Sequence, residues 1–569
     1  MKYNIIKGIV ATMIATATLT ACDDQLDITP KGQSTLSSVT DLEMLFNTSY
    51  YVGLPCADLG IVCNESLGLG DNVPTQLKQK NTLAYAMLAY DESVDRANLT
   101  LQDDRYENGY KYINNMNTII AKMPEATGDE GKKKALIAEA HVMRAYFHWL
   151  LVNIFAKQYD EATAQKDGGI PYVTDIDVTT LKEKLTVAQV YDNILQDCSD
   201  EFISQLPVKS DDVLRADQAW GNAVRAKVLM QMKRYSEAIP YAEKALQING
   251  TIDDRSTIVA LKDWYLPKQS PSNYIYFGTM AAPFAEAISM ETAMLFEQGD
   301  YVKDYAFSFG MDPSEGGGDW GDDDEDWGDD EDWSLRSKAN RMQTYASLTA
   351  KAKEMNIAAK VKKLNRSAKA KATTRSGEWD DEDEDWGNGD DDWGDDDWDD
   401  DWYFAPNSAN PAWNSLFGMM MVGVVGSAQY YGVGAYANTY GITSDRMYYT
   451  LAELYIRTGR IADGMALVNK VRQYRIHPDQ YVELSADNEA DAMALMQNAK
   501  WIECISTYEN CFDCKRWNTE PAYQRTITRT IMDLEGNMEM YSIAPDSKLW
   551  VFPFPLSATR KNPTLTQNY

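Results

Sequence analysis

Residues 134–155 constrain this chain more than any other stretch. Leu136, Ala140, Met143, Phe147, Leu150 and Ile154 recur at spacings of four, three, four, three and four, which lays them along one stripe of an α-helix. From Tyr146 onward the opposite side is apolar too, through Trp149, Val152 and Phe155. A helix that is oily nearly all round must be enclosed by other helices. At about 22 residues it spans roughly 33 Å, long enough to act as a spine. The run should end at Asp167-Gly168-Gly169-Ile170-Pro171, a turn followed by an extended exit.

Other helices can be read around it. Tyr110, Ile113, Asn117 and Ile120 keep helical spacing until Pro124, and a buried Asn117 would need a hydrogen-bond partner such as a neighbouring backbone. Thr40–Glu43 and Thr186–Gln189 read as capping boxes, the second opening a helix predicted to run to Leu206-Pro207. Helices are predicted over 216–232 and 236–247, where the run from Trp220 to Ala245 is similar to a tetratricopeptide helix pair. Residues 446–473 repeat that texture. One long helix is predicted over about 488–518, with Asp513 and Arg516 paired on one face and Cys504, Cys511 and Cys514 on one stripe as buried thiols without a fourth metal ligand. Two alternating segments, 523–531 and 538–543, flank Glu535-Gly536-Asn537 as a hairpin. The fold class expected is mostly α: tetratricopeptide-like helix pairs forming a scaffold, with an irregular loop-rich lobe and a small β-hairpin.

Three stretches break the helical texture. Residues 52–100 show no persistent period, and such long irregular segments are often binding loops. Within them Cys56 and Cys63 either close a small disulfide loop or stay as two thiols. Residues 252–311 and 406–440 are dense in aromatics and interrupted by Pro267, Pro271 and Pro283. Aromatic faces are what a sugar ring or peptide side chain stacks on. The candidate ligand contacts are Trp264, Tyr265, Tyr274, Tyr301, Tyr305, Trp413, Tyr430 and Tyr431, and Tyr274–Thr279 is a candidate strand. Between them, 312–404 is an insertion of Asp-Trp-Gly-Asp units whose charge runs −12 over 312–333, +11 over 334–377 and −16 over 378–402. Such dense acid cannot bury itself, so a solvated, disordered loop is expected, with weak capture of Ca²⁺ or cationic ligands as the second reading. No EF-hand spacing occurs there.

Charge and motifs exclude several functions. The 569-residue chain carries a net −32, which disfavours nucleic acid. Three histidines, His141, His148 and His477, are too few for a three-histidine metal site unless all are used, and they are expected to pack. No G-x-S-x-G, H-E-x-x-H, P-loop or G-x-G-x-x-G is present. No catalytic residue, metal ligand or cofactor is therefore assigned, and the chain is expected not to be an enzyme.

At the start, Lys2 and Lys7 precede an apolar run from Ile9 to Leu19 too short to span a bilayer, and Leu19-Thr20-Ala21-Cys22 resembles a bacterial lipobox. Cys22 is the expected lipidation site, with several acyl chains giving a stable anchor. Glu139-Ala140-His141, Arg144-Ala145-Tyr146-Phe147 and Gly169-Ile170-Pro171 resemble the signature helix of the SusD/RagB family. So do the Tyr-Ile-Asn order of 110–117, the Asp513…Arg516-Trp517 ending and the terminus from Leu549-Trp550 to Gln567-Asn568-Tyr569. That resemblance implies a surface lipoprotein of the outer membrane that binds a nutrient, most readily a glycan, and delivers it to a SusC-like TonB-dependent transporter. A peptide-binding member and a helical-repeat adaptor are the alternatives. Asp23-Asp24 resemble the surface-export signal of Bacteroidetes lipoproteins. The expected division is 1–21 signal peptide, 22–250 N-terminal SusD-like helical half, 251–441 ligand-side lobe containing the insertion, and 442–569 C-terminal half.

Overall fold

The protein is described by a computed structural model over residues 36–46, 54–68, 73–256, 270–277, 279–280, 286–293, 295–301, 307–308, 428–430, 436–532 and 538–569. Its long helices are α1 (Asp104–Lys122), α2 (Glu130–Phe155), α3 (Val187–Asp197), α4 (Gln218–Gln231), α5 (Tyr235–Ile248), α6 (Ser444–Ile456), α7 (Ile461–Arg472), α8 (Glu489–Glu503) and α9 (Glu509–Trp517). They pack as pairs, α1 with α2, α4 with α5 and α6 with α7, while α5 lies against α6 and joins the two halves. The mostly helical architecture expected from the periodicity is the one observed.

The spine is α2. Asp129 caps it by accepting from the Lys132 N–H at 2.6 Å. Leu136, Met143, Phe147, Leu150 and Ile154 are each at most 3% exposed, and burial of each such side chain is worth about 1.5–3 kcal/mol. Its final carbonyls, which have no partner inside the helix, are taken by distant residues. The Ile154 carbonyl accepts from Phe552 N–H at 3.0 Å, that of Phe155 from Asn568 Nδ2 at 2.8 Å, and those of Asn153 and Ala156 from Lys515 Nζ. One apolar cluster surrounds the spine and runs from Val39 to Leu565.

Four boundaries differ from the sequence reading. The first capping box belongs to Ser38 and Asp41. Thr40 lies inside that short helix, and Glu43 is drawn off to Lys132 at 2.6 Å and Arg215 at 3.1 Å. The helix expected to reach Leu206 stops at Asp197, and Asp200–Gln205 is a separate turn of helix. Arg225 Nη1 terminates it by taking the carbonyls of Leu195 and Cys198, at 3.0 and 2.8 Å. The helix expected over 488–518 divides into α8 and α9 because Ser506 adopts a left-handed φ of 60° and gives its N–H to Glu65 Oε1 at 2.7 Å. The region 52–100 is less irregular than expected: short helices form at Ala57–Val62, Val73–Lys78, Leu83–Leu88 and Arg96–Leu99.

Strands are short. β1 (Ser66–Gly68), β4 (Glu286–Ile288), β6 (Ala428–Tyr430) and β5 (Phe307–Ser308) form a sheet in that order, while β2 (Asn273–Ile275) pairs with β8 (Ile442–Thr443) and β3 (Thr279–Met280) with β7 (Tyr436–Ala437). The predicted hairpin is present as β9 (Ile527–Met532) antiparallel to β10 (Met538–Ile543), Met532 facing Met538 and Ile527 facing Ile543. Its expected turn at 535–537 and the insertion 312–404 lie outside the described residues.

Candidate ligand-binding face

The four-stranded sheet gathers the three non-helical stretches. β1 comes from the loop region before α1, β4 and β5 from the first aromatic stretch, and β6 from the second. Every neighbouring pair is antiparallel, with Ser66 opposite Ile288 and both Glu286 and Phe307 opposite Tyr430. Because β5 and β6 are adjacent, the chain leaves this sheet at Ser308 and returns beside it at Ala428. In sequence, the acidic insertion falls between β5 and β6, two neighbouring strands of the lobe.

A buried polar hub ties the lobe to the scaffold. Glu65 is 1% exposed. Its two carboxylate oxygens accept from the Ser506 N–H and from Asn510 Nδ2, both at 2.7 Å. Asn64, with φ of 60°, donates to the Thr528 carbonyl at 2.7 Å and accepts from Arg529 Nε at 2.9 Å. Its own carbonyl accepts from the Ser289 hydroxyl at 2.6 Å, and Trp501 Nε1 donates to Thr292 Oγ1 at 2.9 Å. Nothing in the apolar periodicity marks Asn64, Glu65 or Arg529. Their only sequence signal is polar residues in a short run that must be satisfied once buried.

A second anchor holds the chain on either side of 257–269. Asp253 Oδ1 accepts from the Ser272 N–H at 3.1 Å, and the Asp253 carbonyl from Arg475 Nη1 at 2.6 Å. Arg475 also pairs with Glu503 at 2.8 Å and Asp445 at 2.9 Å. Burial raises the Asp445 carboxyl even with Arg475 beside it.

Trp264, Tyr265, Tyr305, Trp413, Tyr431 and the lipidation candidate Cys22 lie outside the described residues. Tyr430 lies in β6. Tyr301 is half-buried, its ring 6.0 Å from that of His477 and its N–H donating to the Arg475 carbonyl at 3.0 Å. Tyr274 sits in β2 inside the core, 3% exposed, with its hydroxyl on the Asn249 carbonyl at 2.8 Å. That ring packs against the scaffold and offers no face to a ligand. Cys56 and Cys63 are buried thiols not joined to each other, and Cys198, Cys504, Cys511 and Cys514 are buried thiols too. Burial pushes Cys198 and Cys511 up to about 12, which makes them packing groups.

Two of the three histidines pack as expected, His148 and His141, the latter stacked on Phe202, whereas His477 is exposed. His148 stacks on Tyr172, holds the Arg144 carbonyl at 2.9 Å and accepts from the Val173 N–H at 3.0 Å, and burial pushes it down to about 3. It is neutral, with the proton on Nδ1. Asn117 finds the backbone partners expected of it, the carbonyls of Val173 at 3.0 Å and Asp175 at 3.1 Å, and accepts from Arg144 Nη1 at 2.8 Å. Among the described residues no cluster of three or more His, Cys, Asp or Glu side chains could hold a metal ion, and no helix is long and apolar enough to cross a membrane.

This fold is shared with solved proteins of the SusD superfamily. The chain is similar to a putative sugar binding protein from Bacteroides vulgatus, at TM-score 0.55 and 14% identity over 94% of this chain and 99% of that one. It is similar to a SusD-like protein from Bacteroides fragilis at 0.56 and 13%, over 94% and 97%. Surface glycan-binding protein A from Bacteroides uniformis matches at 0.55 and 13%, over 93% and 99%. Residues 26–228 match the SusD-like family described as starch-binding associating with outer membrane. The resemblance read from the motifs therefore holds: this segment is SusD-like and the chain carries the SusD fold. Among curated proteins none matches the sequence.

Proposed function

We propose that the protein is a surface lipoprotein that binds a nutrient glycan at the lobe built on β1, β4, β6 and β5 and passes it to a SusC-like TonB-dependent transporter. The observation that carries this reading is the sheet itself. It joins three separate loop-rich stretches, two of them rich in aromatics, and the buried Asn64–Glu65 hub fixes them to a rigid scaffold. The match of 26–228 to a family described as starch-binding associating with outer membrane supports both the ligand class and the location. Attachment is assigned to acylated Cys22, and the protein acts by binding rather than by catalysis. Residues 22–250 and 442–569 form the scaffold and 251–441 the ligand-side lobe.

Affinity electrophoresis through gels cast with starch, mucin glycans or plant polysaccharides tests the binding. Retardation by one polysaccharide, with no new reducing ends after incubation, is expected. Mild-detergent extraction from the native membrane should recover a β-barrel partner. A chain that no glycan retards and that is recovered alone refutes the proposal.

A further inference from the structure

A groove of about 510 Å³ opens between the helix Leu83–Leu88, with the turn that follows it, and strand β10. Tyr85 from the helix and Tyr541 from the strand line it as half-buried rings, and Asp91, Glu92 and Ser93 come from the turn. None of these residues belongs to the aromatic stretches that stand out in the sequence.

The groove is preorganised. Arg529, fully buried, donates Nη1 to the carbonyls of Met87 at 3.1 Å and Leu88 at 2.9 Å, which closes the end of the helix. Its Nη2 donates to the Tyr90 hydroxyl at 2.9 Å, and its guanidinium lies 4.5 Å from the centre of that ring. Tyr90 is held at φ of 52°, a left-handed conformation that a non-glycine residue rarely adopts. That conformation turns the chain sharply into Asp91-Glu92-Ser93. Asp91 Oδ1 then accepts from the Ser93 N–H at 2.8 Å, and Glu92 Oε1 from the Lys548 N–H at 3.2 Å. Each carboxylate keeps lone pairs for a further donor.

We propose that this groove is a subsite for a neutral sugar ring, stacked on Tyr85 and Tyr541 and held by hydroxyl donation to Asp91 and Glu92. The two rings supply apolar faces for the C–H side of a pyranose, and the carboxylates accept only, which matches a ligand rich in hydroxyl donors. No Lys or Arg is among the lining residues, so a sulfated or uronic sugar would meet two carboxylates and no basic side chain on the groove wall. The inference rests on the glycan-binding reading and narrows it to uncharged glycans.

Hydroxyl-radical footprinting of the full chain tests it, with maltohexaose, cellohexaose, xylohexaose and mannohexaose as neutral probes and a chondroitin sulfate hexasaccharide as the anionic one. At least one neutral probe should protect both Tyr85 and Tyr541, while the anionic probe protects neither. The Y85A/Y541A double variant should weaken binding of that neutral probe at least tenfold, and Y85F/Y541F, which keeps both rings, should retain most of it. The footprint on the unsubstituted protein decides the matter even if the alanine variant unfolds. A neutral probe that binds without protecting these tyrosines overturns the subsite and leaves the glycan-binding function standing. Protection by the anionic probe overturns the charge argument, and no binding of any of these probes overturns the neutral subsite, while the glycan-binding reading stands or falls on the polysaccharide electrophoresis.

Discussion

Asp197 offers the sharpest test of how the helical scaffold is locked. It is 6% exposed and accepts from Arg144 Nε at 2.6 Å, Arg144 Nη2 at 2.7 Å and the Tyr172 hydroxyl at 2.5 Å, with His141 Nδ1 at 2.7 Å. Through these contacts the end of α3 is fastened to α2 and to the extended segment after Pro171. Asp197→Ala leaves the Arg144 guanidinium, 5% exposed, without its counter-charge, and breaking a buried pair from one side costs about 3–5 kcal/mol. Asp197→Asn keeps the volume and one acceptor, so a loss of about 2–3 kcal/mol is expected. The pH dependence has a definite sign. Burial alone would raise the carboxyl, but the hydrogen bonds from His141 and Arg144 outweigh it and hold Asp197 at about 2, against an ordinary value of 3.8. The folded value lies below the unfolded one, so the stabilisation of about 2.5 kcal/mol is fully present above roughly pH 4 and disappears as the pH falls toward about 2. Urea unfolding followed by far-ultraviolet circular dichroism at pH 7, 4 and 2.5 reads both effects. A loss under about 1 kcal/mol for Asp197→Ala, or an acid slope for Asp197→Asn as steep as that of the parent, refutes the reasoning.

Lys515 is buried with its ammonium on the carbonyls of Asn153 and Ala156, and burial pushes it down to about 8. The unfolded chain binds more protons than the folded one above that value, so stability should rise as pH climbs from about 8 toward 10; Lys515→Met should flatten the rise in urea midpoints measured at pH 7.5 and 10. Glu65→Ala takes the acceptor from the Ser506 N–H and from one N–H of the Asn510 amide, whose other bond to the Trp501 carbonyl remains, and each buried donor left unpaired costs about 1–3 kcal/mol. Faster amide exchange over 506–510 and in β1 is the expected readout, and unchanged protection there removes the hub from the account. A Cβ on Gly441 would stand 2.2 Å from the Ile275 carbonyl oxygen and 2.0 Å from Asn438 Oδ1, so Gly441→Ala must push β8 off β2. A loss of about 1–3 kcal/mol or more in chemical denaturation is expected.

The sequence showed the helical scaffold because its helices advertise themselves by period. α1, α2, α4 and α5 each put an apolar stripe into the core, and Thr186 and Gln189 cap each other as their spacing demands, at 3.3 and 3.0 Å. What hid was everything fixed by partners distant in sequence. The break between α8 and α9 follows from a left-handed Ser506 whose N–H is claimed by Glu65, 441 residues earlier, and no local propensity encodes that. The end of α3 is set by Arg225, on another helix. Tyr274 looks like its aromatic neighbours in sequence, and only the packing of β2 against the scaffold sends its ring inward.

α9 shows why polarity alone misplaces a helix. Every residue of Glu509–Trp517 is buried, although the sequence reads as a charged face. Burial is possible because the charges meet in pairs supplied by three other helices. Lys227 from α4 reaches Glu509 at 2.7 Å, Lys500 from α8 reaches Asp513 at 2.5 Å, and Arg516 forms a two-pronged pair with Glu453 of α6 at 2.6 and 2.9 Å. Lys515 on the same helix takes the last carbonyls of α2. A buried pair of this kind contributes little net stability over an apolar substitute, because desolvation offsets the attraction. What it does supply is geometry. An apolar helix could slide or rotate among its neighbours at small cost, whereas α9 satisfies its charges in only one placement, with α2, α4, α6 and α8 all in register. The Asn64–Glu65 hub hangs on the same helix through Asn510 and Glu65, so the fixed placement of α9 carries through to the lobe: short strands and loops inherit their rigidity from the charges at the centre of the scaffold.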